Sequence, residues 1–279
     1  MENDITFRFE QEGKSLVLDG TEFDIINYEG LEASSYNLVT EEYVRRAGER
    51  LKRSQILSRQ IMVEFDYLKD EYADMRRRLI GFFTPLSSGK LTVTYMGKRR
   101  CIDYRVSSFK VNSIRPEEWL SCLLYIKCLD PFFQSITRTG VSIMTLVGGW
   151  KWPFTLPFKL RQYGELKKNI LNPGDVEAPV EIYFQGPAAR PKIINHRSGE
   201  YIQISRDLTA SETLYINTGE SVPEIEIRTE DSTEDGWAYV DPSSVFWRLK
   251  PGDNMIEYSA GALRSKGVEV FYRARYLGI

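Results

Sequence analysis

The chain has 279 residues, of which 42% are hydrophobic and 13% are aromatic. Globular domains usually contain about 100–200 residues, so this length favours two domains, each with enough apolar side chains for a core. The formal net charge is -2, from 37 basic and 39 acidic residues. Such a balance gives no electrostatic case for strong nucleic-acid binding, so no sequence-specific nucleic-acid partner is expected.

The sequence contains no segment that is expected to enter a membrane. Glu2 and Asp4 stand where a signal peptide would begin, and no apolar region follows them. No stretch approaches the ~20 apolar residues of a transmembrane helix. We therefore expect synthesis in the cytosol, no membrane partner and reduced, buried thiols at Cys101, Cys122 and Cys128.

The first part of the chain, residues 1–135, is predicted to be a β-rich domain with one helix. Alternation of apolar side chains predicts a strand over Ile61–Leu68. The helix is expected over about residues 70–83, because its apolar residues have helical spacing and Pro85 ends it. Further strands are predicted at Ile5–Phe9, Ser15–Leu18, Phe23–Tyr28, Leu91–Tyr95, Cys101–Val106 and Trp119–Cys128.

A polar, charged stretch from Glu32 to Arg59 interrupts this pattern. It is interpreted as an extended excursion with Gly48 at a turn, and loops of this length in compact domains are usually functional. We expect it to contact a second copy of the chain, with apolar residues supplying affinity and charged residues orientation. The candidate subunit-interface residues are Leu38, Val39, Tyr43, Arg45, Arg46, Arg50, Leu51, Lys52 and Arg53.

The second part, residues 136–279, is predicted to be an antiparallel β-sandwich of the jelly-roll type. Short strand candidates recur between turn clusters at the spacing of a sandwich, without a helix. The boundary between the two domains is expected near residues 131–140. The candidates are Val141–Val147, Trp152–Leu156, Val180–Phe184, Lys192–Asn195, Tyr201–Ser205, Thr213–Asn217, Glu224–Arg228, Val245–Leu249, Met255–Tyr258 and Val268–Tyr276.

No residue pattern predicts a catalytic, metal or cofactor site. His196 is the single histidine, and the sequence has no P-loop, nucleophile elbow or glycine-rich dinucleotide motif. Two carboxylates suffice for a glycosidase, so the acidic group before Trp237 and Tyr239 leaves that class open. The same two aromatic residues are candidate sugar contacts. The acidic group comprises Glu230, Asp231, Glu234 and Asp235.

The order of these motifs resembles that of the distal tail (Dit) proteins of long-tailed bacteriophages. The similarity includes the helix after Ile61–Leu68, the hairpin around Gly97, and the segment Asp130-Pro131-Phe132-Phe133 that closes the first domain. Later matching segments are Asn172-Pro173-Gly174-Asp175, Ala178-Pro179-Val180-Glu181-Ile182, Ile194-Asn195 and Leu249-Lys250-Pro251-Gly252-Asp253-Asn254.

The resemblance implies a mainly β protein with a β-barrel-like first domain and a galectin-like second domain. It also implies a virion component at the tail tip: a homo-hexameric hub ring of the baseplate, with DNA passing through its lumen. The partners would be the tail tube protein and the tail-tip protein, with receptor-binding proteins as further candidates. The alternative function is a carbohydrate-binding accessory module for host attachment at the cell wall.

Overall fold

The computed structural model describes residues 5–70, 72–112, 120–143, 146–147, 162–163, 166–219, 222–260 and 267–279. The chain divides into two compact units. The first contains Met1–Ile136 together with Arg275–Ile279, and the second contains Thr137–Ala274. Within the described residues, no helix has the length and apolar character needed to span a membrane.

In its described residues, the first unit is built around one large antiparallel sheet and a single helix, α1, at Tyr72–Phe82. Its main path has the strand order β2-β1-β7-β8-β9-β6-β3. Strands β4 and β5 form a separate two-stranded sheet. The strands of this part are β1 Ile5–Gln11, β2 Lys14–Leu18, β3 Phe23–Glu29, β4 Tyr36–Glu42, β5 Glu49–Ile56, β6 Arg59–Tyr67, β7 Ser88–Tyr95, β8 Lys98–Val111, β9 Leu120–Cys128 and β10 Phe133–Ser135.

The alternating sequence of β6 and β9 explains the core of this unit. Side chains on one face of these paired strands are buried, whereas most of those on the other face reach solvent. Leu79 of α1 is fully buried in the same core. The aromatic ring of Phe9 packs edge-on against Phe83 and Tyr104, with ring centroids 5.3 and 5.6 Å away.

The second unit contains two larger antiparallel sheets. One has the order β11-β22-β15-β18-β19-β20 and the other has the order β14-β21-β16-β17. Strands β12 and β13 pair with each other. The strands are β11 Thr139–Ile143, β12 Leu146–Val147, β13 Gln162–Tyr163, β14 Lys167–Asn172, β15 Val180–Gln185, β16 Lys192–Asn195, β17 Glu200–Gln203, β18 Thr213–Asn217, β19 Glu224–Arg228, β20 Thr233–Asp235, β21 Gly252–Ser259 and β22 Gly267–Tyr272.

The two larger sheets pack face to face as a sandwich. Phe184 of β15 and Tyr258 of β21 meet edge to face, with ring centroids 5.5 Å apart. Both side chains are almost completely buried, as are Ile182 and Ile256 on the same strands. The fold class is therefore mainly β with one helix, as the sequence predicted.

Some strand predictions differ from the structure. Val245–Leu249 is not a strand, because only Leu249 forms a bridge, with Ala178, while Trp247 fills the core from irregular backbone. The predicted strand Val268–Tyr276 is two strands, β22 and a short β23 at Arg275–Tyr276. The predicted strand Trp152–Leu156 lies outside the described residues, as do Glu71, Trp119 and Met144-Thr145.

Strand β23 returns the C-terminus of the chain to the first unit. It pairs with β10, which also pairs with β8. Arg275 forms an ion pair with Asp130, and the Ile279 amide donates to the Leu31 carbonyl at 3.0 Å. The second unit is consequently an insertion between β10 and β23.

Candidate functional site

The charged excursion of the first unit is a β-hairpin, which we call the arm (Tyr36–Ile56). Its strands β4 and β5 pair with each other from Tyr36–Ile56 to Glu42–Glu49. Every residue of both strands is exposed. The amide of Leu57 donates to the carbonyl of Ser35 at 2.8 Å, so the two ends of the arm lie side by side.

Register divides the arm into an apolar face and a charged face. Directly paired residues of an antiparallel ladder point to the same side, so alternate positions of β4 define the two faces. The apolar face presents side chains that are 43–67% exposed: Tyr36, Leu38, Leu51 and Ile56. The opposite face presents Val39, Glu41, Arg50 and Arg53.

A bulge in β5 preserves this separation. The register shifts between Val39 and Thr40, so Lys52 has no direct partner in the ladder. Its ammonium group lies 3.0 Å from the Glu41 carboxylate. Without the bulge, the next residue, Leu51, would fall on the charged face, because a shift of one residue reverses the side of every following side chain.

The tip of the arm is basic and aromatic. The Arg46 guanidinium lies 4.5 Å from the centre of the Tyr43 ring. Arg45 adopts a positive φ of 67°, which allows the chain to turn, and Val44 is 89% exposed. The predicted interface residues therefore belong to three places: Leu38 and Leu51 to the apolar face, Val39, Arg50, Lys52 and Arg53 to the charged side, and Tyr43, Arg45 and Arg46 to the tip.

Arg59 anchors the base of the arm. Its guanidinium is buried and donates to oxygen atoms on three parts of the first unit: Gly30, Glu32, Ser34, Pro131 and Leu277. The donor–acceptor distances to Pro131 and Gly30 are 2.7 and 2.6 Å. Desolvation lowers the pKa of Arg59 from its ordinary value.

Arg59 ends the charged stretch in the sequence, but it is buried, unlike the exposed basic residues of the arm. Its burial could have been predicted from its position in the alternating pattern of β6, where it falls on the buried face. Arg59, Ile61, Val63, Phe65 and Tyr67 all point inward. A basic residue in that register must have buried acceptors, because an unpaired buried charge is very costly.

The candidate sugar contacts lie at the edge of the second unit, after strand β20. Trp237 is 43% exposed and its ring centroid lies 5.3 Å from that of Phe246. Tyr239 is half-buried, and its hydroxyl donates to Glu234 at 2.8 Å. The second oxygen of Glu234 accepts from Arg206 at 2.6 Å. The structure therefore places one of the two predicted aromatic residues in solvent.

The ionisation of Glu234 does not suit an acid catalyst. A glycosidase requires one carboxylic acid with a raised pKa. Hydrogen bonds from Arg206 and Tyr239 instead lower the pKa of Glu234. Among the residues that the structure describes, no group of three or more His, Cys, Asp or Glu side chains could hold a metal ion.

Comparison with solved structures shows which known proteins share this fold. The chain matches the crystal structure of SPP1 Dit, described as a paradigm of the hub adsorption apparatus in phages that infect Gram-positive hosts, with a TM-score of 0.70 and 12% identity. The match covers 97% of this chain and 98% of that chain. Two structures of the phage P2 baseplate in its activated conformation, with Ca and with Sr, match with TM-scores of 0.51 and 0.53. They are 11% and 10% identical, and each match covers 96% of this chain and 97% of the other.

The sequence itself matches one family model. Residues 173–276 match the C-terminal domain of the siphovirus-type tail component. No curated protein matches the sequence. The family match thus covers the second unit, and the fold over nearly the whole chain is that of the SPP1 Dit structure. The resemblance to the distal tail (Dit) proteins is thereby confirmed.

Proposed function

We propose that this chain assembles as a homo-hexameric hub ring at the tail tip. The ring would join the tail tube protein to the tail-tip protein and leave a lumen for DNA, with receptor-binding proteins as further partners. The observation that carries this proposal is the arm, whose apolar face is exposed in the single chain. The structural neighbours, which are a Dit protein and a phage baseplate, support it.

The arm needs a covering surface for energetic reasons. An isolated two-stranded hairpin is marginally stable in water. Burying one large apolar side chain contributes about 1.5–3 kcal/mol, so covering the apolar face would stabilise the arm and the assembly together. The neighbouring subunit is the proposed cover. The charged face would then orient the arm on the neighbouring subunit rather than hold it there, since exposed ion pairs contribute only about 0–1 kcal/mol each.

The proposed contact is of the kind that can close into a ring. An arm that packs on the body of the next subunit joins two different surfaces, so the contact is heterologous. Repetition of such a contact produces either a ring or an open filament, depending on the rotation between subunits. The acidic residues Glu10, Glu12, Asp19, Glu22 and Asp24 of the first unit are the proposed partners for the basic side chains of the arm.

Two substitutions on adjacent residues test which face carries the contact. Leu38→Asp places a charge on the apolar face, and Val39→Asp makes a comparable change on the charged face of the same strand. We expect Leu38→Asp to shift the assembled mass measured by light scattering toward the monomer. Val39→Asp should shift it much less. Equal mass for the Leu38→Asp variant and the parent protein would contradict the proposal.

Negative-stain microscopy of the purified parent protein tests the ring itself. We expect closed particles with six-fold symmetry, and filaments or monomers at all concentrations would contradict this expectation. The Leu38→Asp variant provides the matched control. Its circular dichroism should stay β-rich, because Leu38 makes no contribution to the buried core.

We also propose that the chain has no catalytic activity and no cofactor. This proposal is supported by the lowered pKa of Glu234, which is the reverse of what an acid catalyst requires. Hydrolysis of a cell-wall polymer by the pure protein, abolished by Glu230→Gln or Asp231→Asn, would contradict it. The alternative function, carbohydrate binding, keeps a specific observation in its favour, since Trp237 is exposed.

A further inference from the structure

The edge of the sandwich after β20 carries a cluster that lies outside the arm, and we call it the Trp237 platform. It consists of Trp237, Phe246, Tyr239, Arg206 and Glu234. A 3-10 helix at Trp237–Tyr239 presents the aromatic residues. A backbone bridge between Ile204 and Val240, with the Ser205 amide donating to the Tyr239 carbonyl at 2.7 Å, places Arg206 beside Tyr239.

In the aromatic part of the platform, the Trp237 ring packs on one neighbour and is partly open to solvent. Phe246 supports Trp237 at 5.3 Å with an interplanar angle of 42°. The Asp235 carboxylate accepts from the Trp237 amide at 3.0 Å and so fixes the start of the turn. An indole side chain that is 43% exposed offers a large apolar area to a ligand.

The polar part of the platform is held in place from below. Glu212 is buried, accepts from the Thr209 amide at 2.7 Å and accepts from Arg206 at 2.6 Å. Arg206 in turn donates to Glu234 and lies 5.0 Å from the centre of the Tyr239 ring. A donor and an acceptor are therefore fixed next to the Tyr239 ring before any ligand arrives, which lowers the entropic cost of binding.

We propose that the Trp237 platform binds a neutral pyranose of a surface polysaccharide. The C–H face of a pyranose would lie on the indole ring, whose face carries negative potential. Hydroxyl groups of the same glycan would donate to the Glu234 carboxylate and accept from the Arg206 guanidinium. These hydrogen bonds are stronger than neutral ones because one partner of each is charged.

The local charge selects a neutral sugar over an anionic polymer. Four carboxylates lie within the short segment Glu230–Asp235, and Arg206 is the basic group that bonds to one of them. A phosphate-containing or uronic acid polymer would meet this negative field at close range and be repelled. The platform thus gives the alternative function a ligand class, and it does not depend on the arm.

A printed array of microbial glycans, probed with the full-length protein, tests this inference. We expect binding to neutral glycans and none to poly(glycerol phosphate) or polygalacturonate. For a glycan that binds, Trp237→Ala should weaken affinity by tenfold or more in titration calorimetry. Glu234→Gln should weaken it less, because the amide keeps one acceptor but loses the charge.

Leu171→Ala is the matched control, since Leu171 is 56% exposed on the other sheet of the same unit. It should leave affinity unchanged. The inference is overturned if no neutral glycan binds, if Trp237→Ala binds as the parent does, or if acidic glycans bind best. The light-scattering mass of the Trp237→Ala variant should equal that of the parent, which separates this result from failure of the proposed ring.

Discussion

Arg59 joins three stretches of the first unit that are distant in sequence. Its guanidinium bonds to the segment before the arm, to the β9–β10 connection and to the C-terminus. A guanidinium can bond to several acceptors at once because it carries five N–H donors in a fixed plane. The residue therefore determines how the arm leaves the domain, although it takes no part in the arm.

Replacement of Arg59 by lysine should lower the stability of the first unit. The ammonium group has three donors on a flexible chain and cannot satisfy all of these acceptors, so at least one buried oxygen loses its partner. We expect the free energy of unfolding to fall by about 2–4 kcal/mol in urea titrations. Arg53→Lys on the exposed arm is the control and should change it by less than about 0.5 kcal/mol. Similar stability for the two variants would show that Arg59 is not an anchor.

The buried thiols provide a second prediction at this scale. Desolvation raises the pKa of Cys122 and Cys128 to about 12, from an ordinary value of 9.0. The folded state therefore binds more protons than the unfolded state between these values, so stability should fall as pH rises from 9 toward 12. It should be insensitive to these thiols below pH 9. Unfolding of a Cys122→Ala variant at several pH values should show a smaller loss.

The arm illustrates what could and could not be predicted from the sequence. Alternation identified β6 and β9, because one face of each strand is buried and the period is two. The same rule did not identify β4 and β5. Their apolar face is separated from the charged face only after the register and the bulge at Lys52 are known. Those depend on pairing between two strands, which a single sequence does not specify.

The candidate sugar contacts show the same limit at the site. Trp237 and Tyr239 were recognised by residue type, and the acidic group by composition. Their arrangement depends on Arg206, which is distant in sequence and is placed by the bridge between Ile204 and Val240. No local pattern around Arg206 indicated this contact. The cluster is therefore brought together by contacts between residues distant in sequence, which local patterns do not encode.

Excision of the arm should leave the first unit folded. The Ser35 carbonyl and the Leu57 amide are already hydrogen-bonded, so an Asn-Gly turn between these residues can replace Tyr36–Ile56 without strain. No residue of the arm belongs to the buried core, and we expect the free energy of unfolding to change by less than about 0.5 kcal/mol. Urea titration measures it.

The protein that lacks the arm also tests the role of the arm in assembly. Light scattering should report a monomer, while the Val39→Asp variant with an intact arm should still assemble. If the protein without the arm assembles to the same mass as the parent protein, the arm is not the contact. A large loss of stability would instead show that the arm supports its own domain, contrary to the exposure of both strands.

At the scale of the whole molecule, the chain enters the second unit once and leaves it once. The last five residues complete the first unit through β23 and through Leu277, whose carbonyl accepts from Arg59. Arg100 adds a cation–π contact to the Tyr276 ring at 3.6 Å. A linear division of the sequence near residue 135 does not include this return. We propose that the two units are independent domains. Because the returning residues belong to the first unit, their removal should affect that unit alone, so each unit can be followed separately.

Removal of Arg275–Ile279 should destabilise the first unit and leave the second unchanged. The truncation removes the partner of Asp130 and an acceptor of Arg59, so we expect a loss of about 3 kcal/mol or more. Cys101, Cys122 and Cys128 all lie in the first unit and are buried, so their reaction with a thiol reagent reports its unfolding. Trp119 belongs to the first unit and the other four tryptophans to the second, where Trp247 is buried, so in a Trp119→Phe background the fluorescence reports the unfolding of the sandwich.

The two signals separate the possible outcomes in one urea titration. If the units are independent domains, truncation should move the thiol transition to lower urea and leave the fluorescence transition in place. A shift of both transitions by the same amount would mean that the chain unfolds as one cooperative structure, and the division into domains would then be wrong. No shift of the thiol transition would mean that β10 and Arg59 hold the first unit without β23. Arg53→Lys serves again as the control, since it should move neither transition.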